Sequence, residues 1–316
     1  MAIKQDIYQD LTDQIHELIT QHGTDWLKTW SSKASGNINN ISGKEYSGIN
    51  IFSLALSSYA NNFECGEWMT YKQAEAKGWQ VKKGSKGTHI IYFKINEYEN
   101  KKTGDIDKVP MLKRYSVFNG DQIEGFIPCR EPAVEVETFD NCDLVEATIE
   151  AHEITIKHGG DTAFFSPNMD FIQMPMKQDF ISTDEENNQQ TYYSTLLHEV
   201  THWTGHKKRL ARDFSGRFGS NAYAFEELVA EIGSVFLCAK MGVKASPSQN
   251  NAKYLNNWLE VLKDDKRAIV KAFSLASKAS NYIVEKSPVA IEEKRALEEK
   301  KAVFNTEVSS RILLEA

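Results

Sequence analysis

The sequence predicts an α+β protein in two parts, a first domain that mixes helices with strands and a mainly helical second domain with a small sheet. Three observations predict it. Residues 79–97 and 111–119 alternate apolar and polar side chains over strand-length runs. The segments around 196–206, 226–236 and 250–285 instead repeat apolar residues at helical spacing. Between the halves, residues 131–142 form an acidic connector, and 316 residues are enough for two cores.

Composition narrows the function classes. An apolar content of 41% and an aromatic content of 11% are ordinary for globular protein. No apolar run approaches the ~20 residues that span a bilayer, and the first residues, MAIKQDIYQDLTDQ, are polar and amphipathic, unlike a signal peptide. The expectation is a cytoplasmic protein with no membrane partner. Cys65, Cys129, Cys142 and Cys238 are scattered, form no paired metal motif and fit packed thiols. The net charge of -7 argues, as an average, against nucleic acid. Charge is segregated, however: Lys72, Lys77, Lys82, Lys83, Lys86 and Lys94 stand against Glu75 alone between Tyr71 and Lys94, whereas residues 131–153 are acidic.

In the first part, Ile3, Ile7, Leu11, Ile15, Leu18 and Ile19 predict an amphipathic helix to about residue 22. A loop rich in Asn, Ser and Gly follows, then a buried helix over INIFSLALSSYA. Thr70 caps a short helix that ends at Gly78. WQVKK and THIIYFKINEY are predicted to form a hairpin turned at Gly84-Ser85-Lys86-Gly87, with MLKRYSVFN returning across a charged loop. Lys82, Lys83 and Lys86, beside Trp79, Tyr92 and Phe93, would supply phosphate contacts and faces for base stacking, or else form a solvated hairpin tip above a core.

In the second part, LVEATIEAHEITIKHGG predicts one helix closed by Gly159-Gly160, and AFFSP and MDFIQMP predict short strands. The chemistry lies in Leu196-Leu197-His198-Glu199-Val200-Thr201-His202-Trp203. The i, i+4 spacing sets His198 and His202 one turn apart on one helix face, where two imidazoles can grip one zinc ion with Glu199 beside the open position. A catalytic zinc needs a third protein ligand, and EELVAEIGSVF supplies acids one turn apart. Of Glu227 and Glu231, one can bind the metal while the other orients a ligating histidine from behind. Two acids on an apolar helix face are expensive without a compensating cation. His206 continues the series, but eight residues of helix rise about 12 Å, too far to share one zinc; a capping or supporting role is expected. Lys208 occupies the place where metzincins carry their third histidine. Arg209, Arg212 and Arg217 in the following loop either bind substrate or neutralise nearby acids.

These motifs carry a resemblance. The acid helix after HExxH is similar to that of gluzincins, which more often have Asp where this chain has Glu231. The run HEVTHWTGHKKRLARDFSGRFGSNAYAFEELVAEIGSVF resembles the zincin-like metallopeptidase domain of ArdC-type antirestriction proteins, found also in TraC-type conjugative primases. The first part resembles the N-terminal domain of the same family through Trp26 and Trp30, Tyr46-Ser47-Gly48-Ile49-Asn50, Trp68-Met69-Thr70-Tyr71-Lys72-Gln73, Lys83-Gly84-Ser85-Lys86-Gly87 and Val117-Phe118-Asn119. The resemblance implies single-stranded DNA binding within residues 1–130 and a zincin-like fold over 143–288; past Pro288 the charged run EEKRALEEKKAVFNTEV reads by itself as a helical tail at 289–316. The resemblance implies His198, His202 and Glu227 as zinc ligands, with Glu226 as the alternative to Glu227, Glu199 as general base, Glu231 as the acid that orients a ligating histidine, and a protein or peptide as substrate. It also implies that one of the short strands borders the cleft, where an extended substrate can pair with its edge.

Overall fold

The structure is a computed structural model that describes residues 6–23, 36–99, 106–129, 141–180, 188–216, 220–245 and 251–288, together with Trp26, Ser31, Lys33, Ala34, Ala290 and Ile291. Arg217, Trp30 and the expected tail lie outside the described residues.

Helix α1 (Ile7–His22) is capped by Asp6, whose carboxylate accepts the Tyr8 N–H. Strand β1 (Ile38–Asn39) leads to α2 (Ile49–Asn61), and β2 (Glu67–Thr70) runs into α3 (Tyr71–Ala76). There Thr70 and Gln73 form a reciprocal capping box. After β3 (Gln80–Val81) come the long strands β4 (Thr88–Glu99) and β5 (Ile106–Asn119), then β6 (Ile123–Glu124). One sheet has the order β1-β2-β5-β4, and β3 pairs with β6 in a separate two-stranded sheet.

The expected hairpin at Gly84–Gly87 is therefore corrected. β4 pairs with β5 from Thr88↔Val117 to Glu99↔Ile106, while β3 pairs with Ile123 and Glu124. Alternation gives each strand a buried face but does not choose its partner, and the longer ladder with β5 satisfies far more backbone groups than a short hairpin would.

The second part opens with α4 (Asn141–Ala151), β7 (Ile156–His158), β8 (Phe164–Ser166) and β9 (Phe171–Met174). The helix expected to run to Gly159 ends at Ala151. Glu153 takes a left-handed φ of 55°, and Ile156 then joins a parallel ladder opposite Ile172. The sheet order is β7-β9-β8, which leaves β8 at an edge. Helices α5 (Asn188–Thr204), α6 (Asn221–Met241), α7 (Asn251–Asp264) and α8 (Ala268–Val284) complete the described elements. No described helix is long and apolar enough to cross a membrane.

Two large apolar clusters organise the molecule. One gathers Tyr192, Leu196, Leu197, Val200 and Trp203 of α5 with Ile172 of β9 and Leu237 of α6. The other joins the two parts: Leu11, Ile15 and Ile19 of α1 and Phe52 of α2 pack with Leu228, Ile232 and Phe236 of α6 and with Phe273 of α8. Each such side chain contributes roughly 1.5–3 kcal/mol on burial.

Helix α6 crosses α5 at very close range. A Cβ built on Gly233 would lie 2.4 Å from Thr201 Cγ2, so only glycine allows this approach. Gly233→Ala is expected to destabilise the fold by about 1–3 kcal/mol through overpacking. The further substitution Thr201→Ala should recover part of that loss, and denaturant midpoints of the single and double variants check this.

Candidate metal centre

Helix α5 presents His198 and His202 toward α6, their ring centroids 4.9 Å apart. The apolar flanks Leu196, Leu197, Val200 and Trp203 are buried, and this fixes the rotation of α5 and aims both imidazoles into the cleft. Helix α6, capped by Ser220 at its start, delivers Glu227 from the opposite wall. Glu227 Oε2 lies 3.6 Å from His198 Nε2, and its Oε1 lies 3.7 Å from His202 Nε2. The potential ligand atoms of these three residues all fall within 4.8 Å of one another, and all three residues are buried. No other such group occurs among the described residues.

Each histidine is held from behind by a different acid. His198 Nδ1 sits 3.2 Å from Glu231 Oε1, an ion-pair distance, and neither atom has a hydrogen-bond partner among the described residues. His202 Nδ1 is 3.1 Å from Glu226 Oε1. Glu226 therefore faces away from the ligand cluster. It is clamped by Arg212, whose Nε and Nη2 donate to the carboxylate, while Nη1 donates to Thr204 Oγ1 and Nη2 to the Thr201 carbonyl. Both carboxylates thus stand where they fix a histidine tautomer, leaving Nε2 free to bind.

Glu199 is buried in the same cleft, which Phe165 of β8 also lines. Burial pushes its pKa up, partly offset by the two histidines, which suits a base that must hold a proton briefly. For His202, burial opposes protonation, but hydrogen bonds to Glu226 and Glu227 outweigh it and raise the pKa to about 9. His198 is likewise raised, its burial outweighed by the charge of Glu231 first and by Glu227 after it. Glu227 is held far below the usual carboxylate range: burial opposes this, and the histidines prevail.

Four buried carboxylates, Glu199, Glu226, Glu227 and Glu231, thus gather around two imidazoles, and only Glu226 is paired with a guanidinium, that of Arg212. A divalent cation fits this excess of negative charge and the borderline-soft donor set. Because the histidines bind protons in competition with a metal, metal affinity is expected to rise with pH from neutrality toward about 9. Competition titrations against a chelator at several pH values check this.

The other expected residues fall elsewhere. His206 packs against Phe165, and its Nδ1 accepts the Lys208 N–H. Arg209 pairs with Asp170 and lies over Trp203. Arg209 and Arg212 both neutralise acids. In the first part, Lys82, Lys83 and Lys86 are exposed on the link from β3 to β4, with Lys82 Nζ donating to the Asp121 carbonyl at 2.8 Å. Tyr92 is exposed on β4, whereas Trp79 packs edge-on against Phe126 in a small apolar cluster. The structure does not bring Trp79 and Tyr92 together. It adds Tyr115 and Lys113 of β5, which sequence reading missed. Lys113 is in register with Tyr92, and the Tyr92 and Tyr115 rings are 6.2 Å apart. Their signal was the strand alternation itself, legible only once the partner strand is known.

Comparison with known proteins agrees with this arrangement. Residues 143–275 match the model of a zincin-like metallopeptidase, and residues 5–118 match the N-terminal domain of the anti-restriction factor ArdC. The protein y4eC of Sinorhizobium fredii is 35% identical over 289 residues, covering 88% of this chain and 91% of its own length. A DNA primase TraC of Escherichia coli is 35% identical over 303 residues, which cover 89% of this chain but only 27% of the primase. The crystal structure of the antirestriction protein ArdC from plasmid R388 in its metal-free form is 38% identical with a TM-score of 0.72, covering 89% of this chain and 98% of that one. Its Mn(II)-bound form is 36% identical with a TM-score of 0.73, over 90% and 99%. With both parts matched, in order and along nearly the whole chain, this protein belongs to the ArdC family of antirestriction proteins, an ArdC N-terminal domain followed by a zincin-like metallopeptidase domain.

Proposed function

We propose that this chain is a zinc-dependent peptidase that also binds single-stranded DNA, and that it acts in the cytoplasm as an antirestriction protein. The observation that carries the peptidase reading is the convergence of His198, His202 and Glu227 beside Glu199 at the base of a cleft of about 590 Å³. A Mn(II)-bound relative supports a divalent ion as cofactor, and a donor set of two imidazoles and one carboxylate would suit zinc. When bound, the metal supplies Lewis-acid chemistry that acidifies water and polarises a carbonyl.

The chain's own residues do the rest. Glu199 takes the proton from the attacking water and passes it to the leaving amine, while Glu226 and Glu231 keep the two imidazoles oriented. The edge of β8, unpaired among the described residues and with Phe164 and Phe165 lining the cleft, offers main-chain groups to an extended peptide. A rival reading is a non-enzymatic DNA-protecting protein with a structural metal. Structural zinc has four protein ligands, and the described residues bring together three that face an open cleft, which favours the enzyme. The test is hydrolysis of peptide mixtures by the metal-loaded full chain. Glu199→Gln is expected to lower the rate by about 10²–10⁴-fold, the usual contribution of a general base.

Single-stranded DNA binding is placed within residues 1–130. Exposed Lys83, Lys86 and Lys113 with the exposed rings of Tyr92 and Tyr115 support it, as phosphate contacts and sequence-tolerant stacking faces. The TraC primases among the relatives support nucleic acid as the partner. Tyr92→Ala with Tyr115→Ala in the full chain is expected to weaken oligonucleotide binding by roughly 1–3 kcal/mol per stacked base. Replacing Lys82, Lys83 and Lys86 together should flatten its salt dependence by about 0.7 for each phosphate that is no longer neutralised. A salt titration of labelled oligonucleotide measures both effects, and unchanged binding in both variants would remove this surface from the proposal.

A further inference from the structure

We infer that the cleft selects an extended peptide segment in which a large apolar side chain is followed or preceded by lysine or arginine; this rests on the peptidase reading and names its substrate class. The apolar requirement comes from the wall beside the metal ligands. The Phe214 ring lies 6.4 Å from that of His202 and 6.0 Å from that of Phe165, and Phe180 and Tyr223 line the same space. A side chain next to the scissile bond therefore meets aromatic surface on the side where Phe214 stands. A small or polar residue there would leave that surface wet, whereas a large apolar one removes it from water.

The charge requirement comes from the rim. Asp161, Asp179 and Asp213 are exposed and line the cleft from three separate loops. Among the described residues that line it, none is lysine or arginine. Among the described residues, the guanidinium of Arg212 is buried against Glu226, Thr201 and Thr204 and is not available to a ligand. Low-dielectric aromatic walls concentrate the field of these carboxylates, so an incoming cation is attracted and an acidic residue repelled. Attraction and exclusion act on the same few positions of the peptide, and together they define a preference rather than a general adhesiveness.

The test uses the full-length Glu199→Gln variant loaded with Zn²⁺ and four fluorescent decapeptides, whose central pair is Phe-Lys, Phe-Glu, Ala-Lys or Ala-Glu. Anisotropy should show Phe-Lys binding tighter than Phe-Glu by on the order of tenfold, the scale of two or three partly exposed charge pairs. Replacing Asp161, Asp179 and Asp213 by Asn should bring those two peptides to equal affinity while leaving Phe above Ala. Phe214→Ala should instead bring Phe and Ala together while the charge preference remains. Sequencing the cleavage sites that the metal-loaded parent makes in a peptide library gives a second readout. If Phe-Lys binds preferentially and nothing is cleaved, the selectivity stands and the peptidase reading fails. If peptides are bound without regard to charge, or with acidic residues favoured, the selectivity is overturned, and the peptidase reading survives where such peptides are cleaved.

Discussion

Metal analysis of the full chain is expected to find about one divalent ion per molecule, lost in His198→Ala, His202→Ala and Glu227→Ala but retained in Glu199→Gln. The first three remove an atom from the only group of potential ligands within 4.8 Å of one another among the described residues. Glu199 approaches the cleft without belonging to that group. In the proposed role of general base Glu199 is not a ligand, so its loss should slow hydrolysis and leave the metal in place. Glu226→Gln is the informative control. Glu226 is directed at His202 Nδ1 and Arg212, so this variant should keep the metal with weakened affinity, of the order of the 10–100-fold that loss of an orienting partner brings. Elemental analysis of the purified variants decides the matter; metal lost with Glu226→Gln and kept with Glu227→Ala would exchange the two roles.

Arg212→Ala is expected to be among the most destabilising single substitutions available in this chain. Its side chain is only 3% exposed and that of Glu226 9%, and it makes the hydrogen bonds that tie the end of α5 to the start of α6. Removing it leaves a buried carboxylate without its guanidinium, a change that typically costs 3–5 kcal/mol. Arg212→Met with Glu226→Met, which removes both charges, should cost far less. Thermal and urea unfolding of the two variants gives the comparison. Burial raises the pKa of Glu226, and His202 and Arg212 together more than reverse this, so in the parent its carboxylate is held low. A depressed carboxylate contributes stability that is present above its unfolded pKa and lost as pH falls through the folded one. Without Arg212 that contribution shrinks, and the gap between parent and variant should narrow as acid protonates Glu226. A gap that stays constant with pH would show that the guanidinium acts by packing alone.

The site was legible in the sequence wherever its geometry is local. His198, Glu199 and His202 occupy one helix, and their spacing alone fixes their common face. Glu227 and Glu231 were legible for the same reason, as acids one turn apart on a second helix that is otherwise apolar. Arg212 was legible only as a choice between substrate and acid, because its partner Glu226 comes from a different element and no periodicity records that meeting. Gly233 gave no signal, since its reason is the Thr201 side chain of another helix. The sheet behaves alike. The strands at 80–81 and 88–99 were readable from alternation, but their partners at 123–124 and 106–119 were not, as pairing is settled by the ladder that satisfies the most backbone. The break after Ala151 escaped because the pattern through Ile149, Ile154 and Ile156 serves helix and strand equally well until Ile172 claims Ile156.

The apolar cluster in which Leu11, Ile15, Ile19 and Phe52 meet Leu228, Ile232, Phe236 and Phe273 bears on how such a chain is inherited. A genetic exchange that broke the chain between its halves would bare both sides of that cluster, and each product would carry a sticky surface and a weakened helix α6. The unit that recombination can move intact is therefore the pair of halves together. The TraC primases have this form: the stretch that resembles this chain takes in 89% of it while occupying only 27% of a much longer protein, so the two halves sit inside the larger gene as a single cassette.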